Sequence, residues 1–335
     1  MYPLSQLLDF LNVYAAENPF PDTPKMLYEP CDYMLALGGK RLRPAMLLMA
    51  QNLFSDDLKS GLPAAWSVEL FHNFTLMHDD IMDAAPLRRG KTTVHTKWNL
   101  TTGILSGDVM LIYAYAHLVK AGQAAIVPEL IRSFNRVAIG VCEGQQYDVD
   151  FETRSDVSLP EYIRMIELKT AVLIGGALEM GALCAGADRA NADHLYEFGR
   201  LAGIAFQIQD DLLDTYGDPA KFGKQVGGDI LQNKKTFLVL KTLEVAPEQE
   251  RAALQQWMLA PPPPALPSEG GDVSGEEKIA AVRALFDRNG IPALVEAAKQ
   301  TFQDQAFKHL EAVNVPDARK AVLRKMVEDL LVREY

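Results

Sequence analysis

Apolar residues recur at intervals of three and four along most of this chain, and that spacing commits it to α-helix. Between Pro63 and Asp83, the residues Trp66, Leu70, Phe74, Met77 and Ile81 share one face of a helix turning every 3.6 residues. Pro63 suits the first turn, where its missing N–H would have had no partner in any case. The same period runs through roughly 101–121, 127–147, 160–185, 190–216, 230–245, 276–289, 292–312 and 317–333. Alternating runs of β-branched residues are nearly absent. The pattern predicts an all-α fold.

Ala171 to Ala187 is apolar around much of its circumference, as expected of a helix inside a large bundle. Its small residues Gly175, Gly176, Ala177, Gly181 and Ala182 allow close helix approach or a subunit contact. No shift in composition marks a boundary before Ala260, so residues 1–335 read as a single domain. The Pro- and Gly-rich stretch at 260–275 cannot continue a helix and is expected to form a flexible surface loop.

Charge excludes some functions and poses a problem for others. With 44 acidic residues against 33 basic ones, a formal charge of −11, the chain lacks the basic footprint of a nucleic-acid binder. A protein this acidic can handle polyphosphates only with bound cations. Cys31, Cys142 and Cys184 are too few and too scattered for a disulfide framework or a zinc site, and are expected to be reduced. The start, MYPLSQLLDF, has neither the basic residues nor the apolar run of a signal peptide. No apolar stretch reaches the roughly 18 residues of a membrane span. A cytoplasmic protein is expected.

One motif occurs twice. Asp79-Asp80-Ile81-Met82-Asp83 and Asp210-Asp211-Leu212-Leu213-Asp214 both read Asp-Asp-x-x-Asp, and each ends an apolar helical run. On a helix, Asp79 and Asp83 lie one turn apart on the same face, as do Asp210 and Asp214. Like charges so placed cost roughly 0.2–0.5 kcal/mol per pair, and the helix dipole disfavours anions at a C-terminus. A single acidic cluster of this kind is an ordinary solvated face. Two, in matching apolar settings, point to a hard divalent cation, for which carboxylate oxygens are the preferred ligands. Two such banks on facing helices would grip a diphosphate through shared magnesium ions.

Basic residues gather around the banks. Gly38-Gly39-Lys40-Arg41-Leu42-Arg43 places three cations in four residues, and Arg88-Arg89-Gly90-Lys91 follows the first bank by a short loop. Lys224, Lys234 and Lys235 lie beyond the second. Arginine forks bind phosphate oxygens in pairs and lysine supplies a point charge. The grouping suits a site for two diphosphates.

Six segments in order resemble the trans-isoprenyl diphosphate (polyprenyl) synthases: GGKRLRP, HNFTLMHDDIMD, RRGKTTVH, the LKT of Leu168 to Thr170, FQIQDDLLD and GKQVGGDILQNKKT. They span about Gly38 to Thr236. The resemblance implies a large helical bundle around a central cavity, the isoprenoid synthase fold. It also implies a homodimer and a reaction between isopentenyl diphosphate and an allylic diphosphate (dimethylallyl, geranyl or farnesyl). Carried over by position, Asp79, Asp83 and Asp210 look like the magnesium ligands, with Asp80, Asp211 and Asp214 in support. Three ions per site are implied once substrate is bound. Arg88, Lys169, Lys224 and Lys234 look like contacts to the allylic diphosphate. Lys40, Arg43, His72 and Arg89 match the isopentenyl diphosphate pocket. Thr170 and Gln207 match dipoles beside the cation. A released pyrophosphate is the implied base, so no nucleophilic triad is needed.

Product length in this family depends on residues one turn or so before the first bank, here Phe74 and Thr75. Phe74 matches an aromatic stop for twenty carbons. Thr75 departs from the paired aromatics of eukaryotic farnesyl synthases, and DDIMD lacks the insertion common in bacterial ones. Both departures favour geranylgeranyl over farnesyl diphosphate. Arg333 is read as part of a tail that closes over the second substrate. Rival readings are a terpene cyclase or head-to-head isoprenoid synthase, which need no GGKRLRP pocket. A silent partner subunit is the third, but one would be expected to lose a bank or the basic residues.

Overall fold

The structure, a computed structural model, describes residues 1–218, 226–259 and 275–331. Among these the fold is all-α, as the period predicts, apart from one two-stranded hairpin. The helices are α1 (Leu4–Glu17), α2 (Lys25–Ala36), α3 (Leu42–Phe54), α4 (Leu62–Met82), α5 (Val94–Lys97), α6 (Leu100–Leu118), α7 (Val127–Thr153) and α8 (Leu159–Ile166). They continue as α9 (Val172–Cys184), α10 (Arg189–Tyr216), α11 (Gly228–Leu231), α12 (Phe237–Val245), α13 (Glu248–Leu259), α14 (Gly275–Arg288), α15 (Ile291–Ala312) and α16 (Asp317–Leu331). The expected loop at 260–275, Lys224 and Arg333 lie outside the described residues, save for Gly275, which opens α14.

The chain divides into two compact units. The first comprises Met1–Val137, Leu173–Glu197 and Leu310–Arg324. Here α4 packs along α6 and against α3. Every residue of α3 from Pro44 to Leu53 is buried, the mark of a helix surrounded by protein. Glu179 of α9, fully buried, accepts from Ser133 (2.5 Å), from Arg189 (2.6 Å) and from Arg136. Leaving such a carboxylate unpaired would cost several kcal/mol, on the order of 3–5. Arg319 donates to the carbonyl oxygens of Asn52 (2.6 Å) and Leu53 (2.7 Å), which stops the end of α3.

The second unit comprises Ala138–Val172, Phe198–His309 and Lys325–Tyr335. Its core gathers Phe151, Tyr162, Ile166, Ile204, Ile208, Leu212, Phe237, Leu254, Val282, Phe286 and Val295. Two expected helices are interrupted in it. The run at 160–185 contains a π turn at Glu167–Ala171. Opposite it, a Cβ on Gly144 would sit 2.2 Å from the backbone nitrogen of Lys169, so α7 reaches this turn only because glycine has none. The run at 230–245 breaks after α11, with Asn233 in the left-handed region (φ 58°). Neither break has a proline to announce it, since both depend on a neighbour.

Candidate active site

The first unit holds a polar cavity lined by Gly39, Lys40, Arg41, Leu42, Arg43, Glu69, His72 and Arg89. Three elements supply it. A left-handed turn through Gly38 (φ 85°) and Arg41 (φ 45°) leads into α3 and places Arg43 in its first turn. Glu69 and His72, three residues apart, share one face of α4. Arg89 sits at the tip of the hairpin formed by β1 (Leu87–Arg88) and β2 (Lys91–Thr92). Arg89 and Gly90 both have positive φ (54° and 74°), as a tight two-residue hairpin requires.

Arg43 Nη1 lies 3.1 Å from His72 Nε2. Guanidinium only donates, so Nε2 accepts and the ring proton belongs on Nδ1. Burial, then the charges of Arg43, Arg89 and Arg88, hold His72 well below the usual histidine range, so the ring is neutral. Arg43 Nε is buried with no hydrogen-bond partner, a donor ready for an incoming acceptor. Burial raises the Glu69 carboxyl, against an Asn73 Nδ2 hydrogen bond (3.0 Å) and the charges of Arg41, Arg43 and Arg89. Lys40, Arg43, His72 and Arg89 thus come together around one cavity. Glu69 was not foreseen; its place one turn before His72 on the same face was the available signal.

The first acidic bank closes α4. Asp80 is buried, and its Oδ1 accepts from Arg88 Nε at 2.8 Å. Arg88 Nη2 reaches Asp79 Oδ2 at 3.4 Å. Burial raises the Asp80 carboxyl and Arg88 opposes that shift. Asp80 Oδ2 is buried without a hydrogen-bond partner. Asp83 caps the helix and is exposed. One turn earlier, the Phe74 ring lies 4.8 Å from that of His78, and Thr75 Oγ1 donates to His72 O (2.8 Å).

The second bank, on α10, is held differently. Asp211 is buried; its Oδ2 accepts from the Tyr162 hydroxyl and from the Phe237 backbone N–H (2.9 Å). Burial pushes its carboxyl up to about 8, and nearby Asp229 and Asp210 add to the shift. Asp214 accepts from the backbone N–H of Gly227 (through O, 2.6 Å) and of Asp229 (through Oδ2, 3.0 Å), which fixes the start of α11. Asp210, Asp214 and Gln207, all half-buried, recur at three- and four-residue spacing on α10. In the π turn, Lys169 Nζ lies 2.6 Å from Asp148 Oδ2, with Thr170 next to it. Lys234 follows Asn233 and lies 3.6 Å from Asp229. Asp148 and Tyr162 were missed. Asp148 sits in an acidic run, EGQQYDVDFE, where no spacing sets it apart.

Among the described residues no three His, Cys, Asp or Glu side chains form a ready-made metal cage. Magnesium keeps waters and shares its shell between one or two carboxylates and substrate phosphate. Oxygen-only banks with a buried, unsatisfied Asp80 oxygen fit that ion.

A cavity lined by Lys40, Arg43, His72 and Arg89, in a helical chain that carries two aspartate banks, fits a class of diphosphate-handling enzymes. The chain belongs to the polyprenyl synthetase family: the family's sequence model matches residues 24–262. It is 35% identical over 340 residues to a short chain isoprenyl diphosphate synthase of Methanothermobacter thermautotrophicus, covering 99% of this chain and 100% of the relative. It is 36% identical over 323 residues to the geranylgeranyl diphosphate synthase of Methanosarcina mazei, covering 96% and 94%. A crystal structure of a geranylgeranyl pyrophosphate synthase superposes with a TM-score of 0.91 at 43% identity, covering 100% of both chains.

Proposed function

We infer that this chain is a trans-prenyltransferase that lengthens an allylic diphosphate by condensing it with isopentenyl diphosphate. The observation that carries the reading is Arg43. Its Nε is a buried donor without a partner, its Nη1 is oriented by a neutral histidine, and Lys40 and Arg89 line the same cavity. That arrangement suits the diphosphate of isopentenyl diphosphate, with bidentate donors from arginine and a point charge from lysine. Arg88, Lys169, Lys224 and Lys234 take the allylic diphosphate. Asp79, Asp83 and Asp210 would hold magnesium, three ions with substrate bound, while Asp80, Asp211 and Asp214 support them. Bound magnesium supplies positive charge to the departing diphosphate.

The chain's own groups do the rest. Thr170 and Gln207 present dipoles to the allylic cation, a preorganised field that needs no rearrangement as charge develops. Apolar helix walls keep water from quenching it. Phe74 and Thr75 form the floor that limits product length, and a twenty-carbon product is favoured. Leu105, Ile112 and Val119, spaced seven apart along α6 and its cap and each at least half exposed, support a homodimer. No described helix is long and apolar enough to cross a membrane, and the reading is of a cytoplasmic enzyme.

Incubation with isopentenyl diphosphate, each allylic starter and magnesium, with an EDTA control, tests this directly. Metal-dependent prenyl diphosphate of about twenty carbons is expected. No product from any starter would sink the reading in favour of a silent subunit, and consumption of an allylic substrate alone would favour a cyclase. Phe74→Ala is expected to lengthen the product; an unchanged length would place the floor elsewhere.

A further inference from the structure

The segment that carries Lys234 is built from unusual backbone. Gly227 has φ 82° and Asn233 has φ 58°. A residue with a side chain in the left-handed region persists there when its surroundings insist on it, asparagine more readily than most. One end of the segment is tied to Asp214, through the N–H groups of Gly227 and Asp229. Beyond it, Lys235 Nζ donates to the carbonyl oxygens of Phe151 and Glu152, at the end of α7.

A third tie comes from α14, which lies beyond residue 262, where the family match ends. Lys278 is only 3% exposed, and its Nζ donates to Asn233 Oδ1. Among the described residues it makes no ion pair, and burial lowers its pKa. Burying an ammonium is costly unless its hydrogen bonds are well made, so a lysine placed there ranks as a specific contact rather than filler. The next residue, Ile279, covers Gly227 so closely that a Cβ there would lie 2.7 Å from it. Two consecutive side chains of α14 therefore hold the two left-handed residues of the segment.

We propose that Lys278 is a positioning residue: through Asn233 it fixes the turn that presents Lys234 to a diphosphate. The proposal rests on the reading that Lys234 contacts the allylic diphosphate, and its test separates the two. Lys278→Met keeps the length of the side chain and removes the donor. Asn233→Gly keeps the left-handed backbone and removes the acceptor. Each is expected to raise the KM for the allylic diphosphate about tenfold, the scale of one charge-assisted hydrogen bond, with the KM for isopentenyl diphosphate unchanged. The double variant is expected to be no worse than either single one, because both break the same contact. Amide exchange at Asn233 and Lys234 is expected to quicken in Lys278→Met while that of α8 and α12 does not.

Unchanged exchange at Asn233 and Lys234 would overturn the clamp, as would exchange quickening throughout the unit with both KM values rising together. Lys234→Ala is run in parallel. If it leaves the allylic KM unaltered, the site reading fails, and the exchange result still decides the clamp by itself.

Discussion

At the end of α4 the middle aspartate of the first bank, Asp80, meets a guanidinium, whereas on α10 its counterpart Asp211 meets a phenol and a backbone N–H. The third aspartates differ as well: Asp83 caps its helix in solvent, and Asp214 holds the turn that follows. Identical spacing therefore serves two ends. In the first unit Asp80 is paired with Arg88, about one-fifth exposed, which also reaches Asp79. In the second unit, two of the three carboxylates are spent on structure and anchor α10 to α8, α11 and α12. A repeated motif is thus no guarantee of repeated surroundings.

The largest effect should come from the leading aspartate of each bank, proposed above to hold magnesium. Asp79→Ala and Asp210→Ala are each expected to lower turnover by about 1,000-fold, the scale of losing a metal's charge, with little change in Tm. Near-normal rates in both would break the metal assignment.

Next in size is a difference in stability. Asp211→Ala strands the Tyr162 hydroxyl and the Phe237 N–H in the core, at a cost of about 3 kcal/mol. Asp80→Ala leaves Arg88 partly exposed to water and still 3.4 Å from Asp79, so a smaller loss, about 1 kcal/mol, is expected. Equal losses in urea titrations would contradict the contrast between the banks.

A pH effect sharpens it further. The Asp211 carboxyl is held at about 8, against an ordinary aspartate value of about 3.9 in an unfolded chain. The folded state thus keeps a proton that the unfolded state has lost. The stability this group contributes is full below about pH 4 and is lost as pH rises to about 8. In chelator, Asp211→Asn should flatten the fall of Tm across that window and Asp80→Asn should do so less. A slope that survives in Asp211→Asn must belong to another group.

The smallest effect concerns the cavity beside the first bank. His72→Gln retains an acceptor for Arg43, so the KM for isopentenyl diphosphate should rise only about threefold. Because the ring is already neutral, the ratio of variant to wild-type KM should stay flat between about pH 6 and 8. A ratio that bends near pH 6.5 would show that the histidine titrates there.

Much of this molecule could be read before folding. The helical period located α4, α10 and the late helices to within a few residues, because one buried face repeats every three or four positions whatever lies opposite. Lys40, Arg43, His72 and Arg89 line one cavity. The short helices α1 to α3 escaped notice: α2 carries an internal proline, and α3 is buried on all sides and so has no polar face to set a period. The hairpin at Leu87–Thr92 escaped because strands of two residues have no alternation to detect. Glu69, Asp148 and Tyr162 escaped because each is defined by a partner distant in sequence or by a cavity.

The amino-acid sequence determined the helices, the two carboxylate banks and the basic residues, since periodicity and charge spacing act within a few turns of one chain. It did not determine what holds each aspartate. Tertiary structure decided that, by burying Asp211 against Tyr162 and leaving Asp80 to Arg88, because the cost of a charge depends on its surroundings and not on its neighbours in sequence.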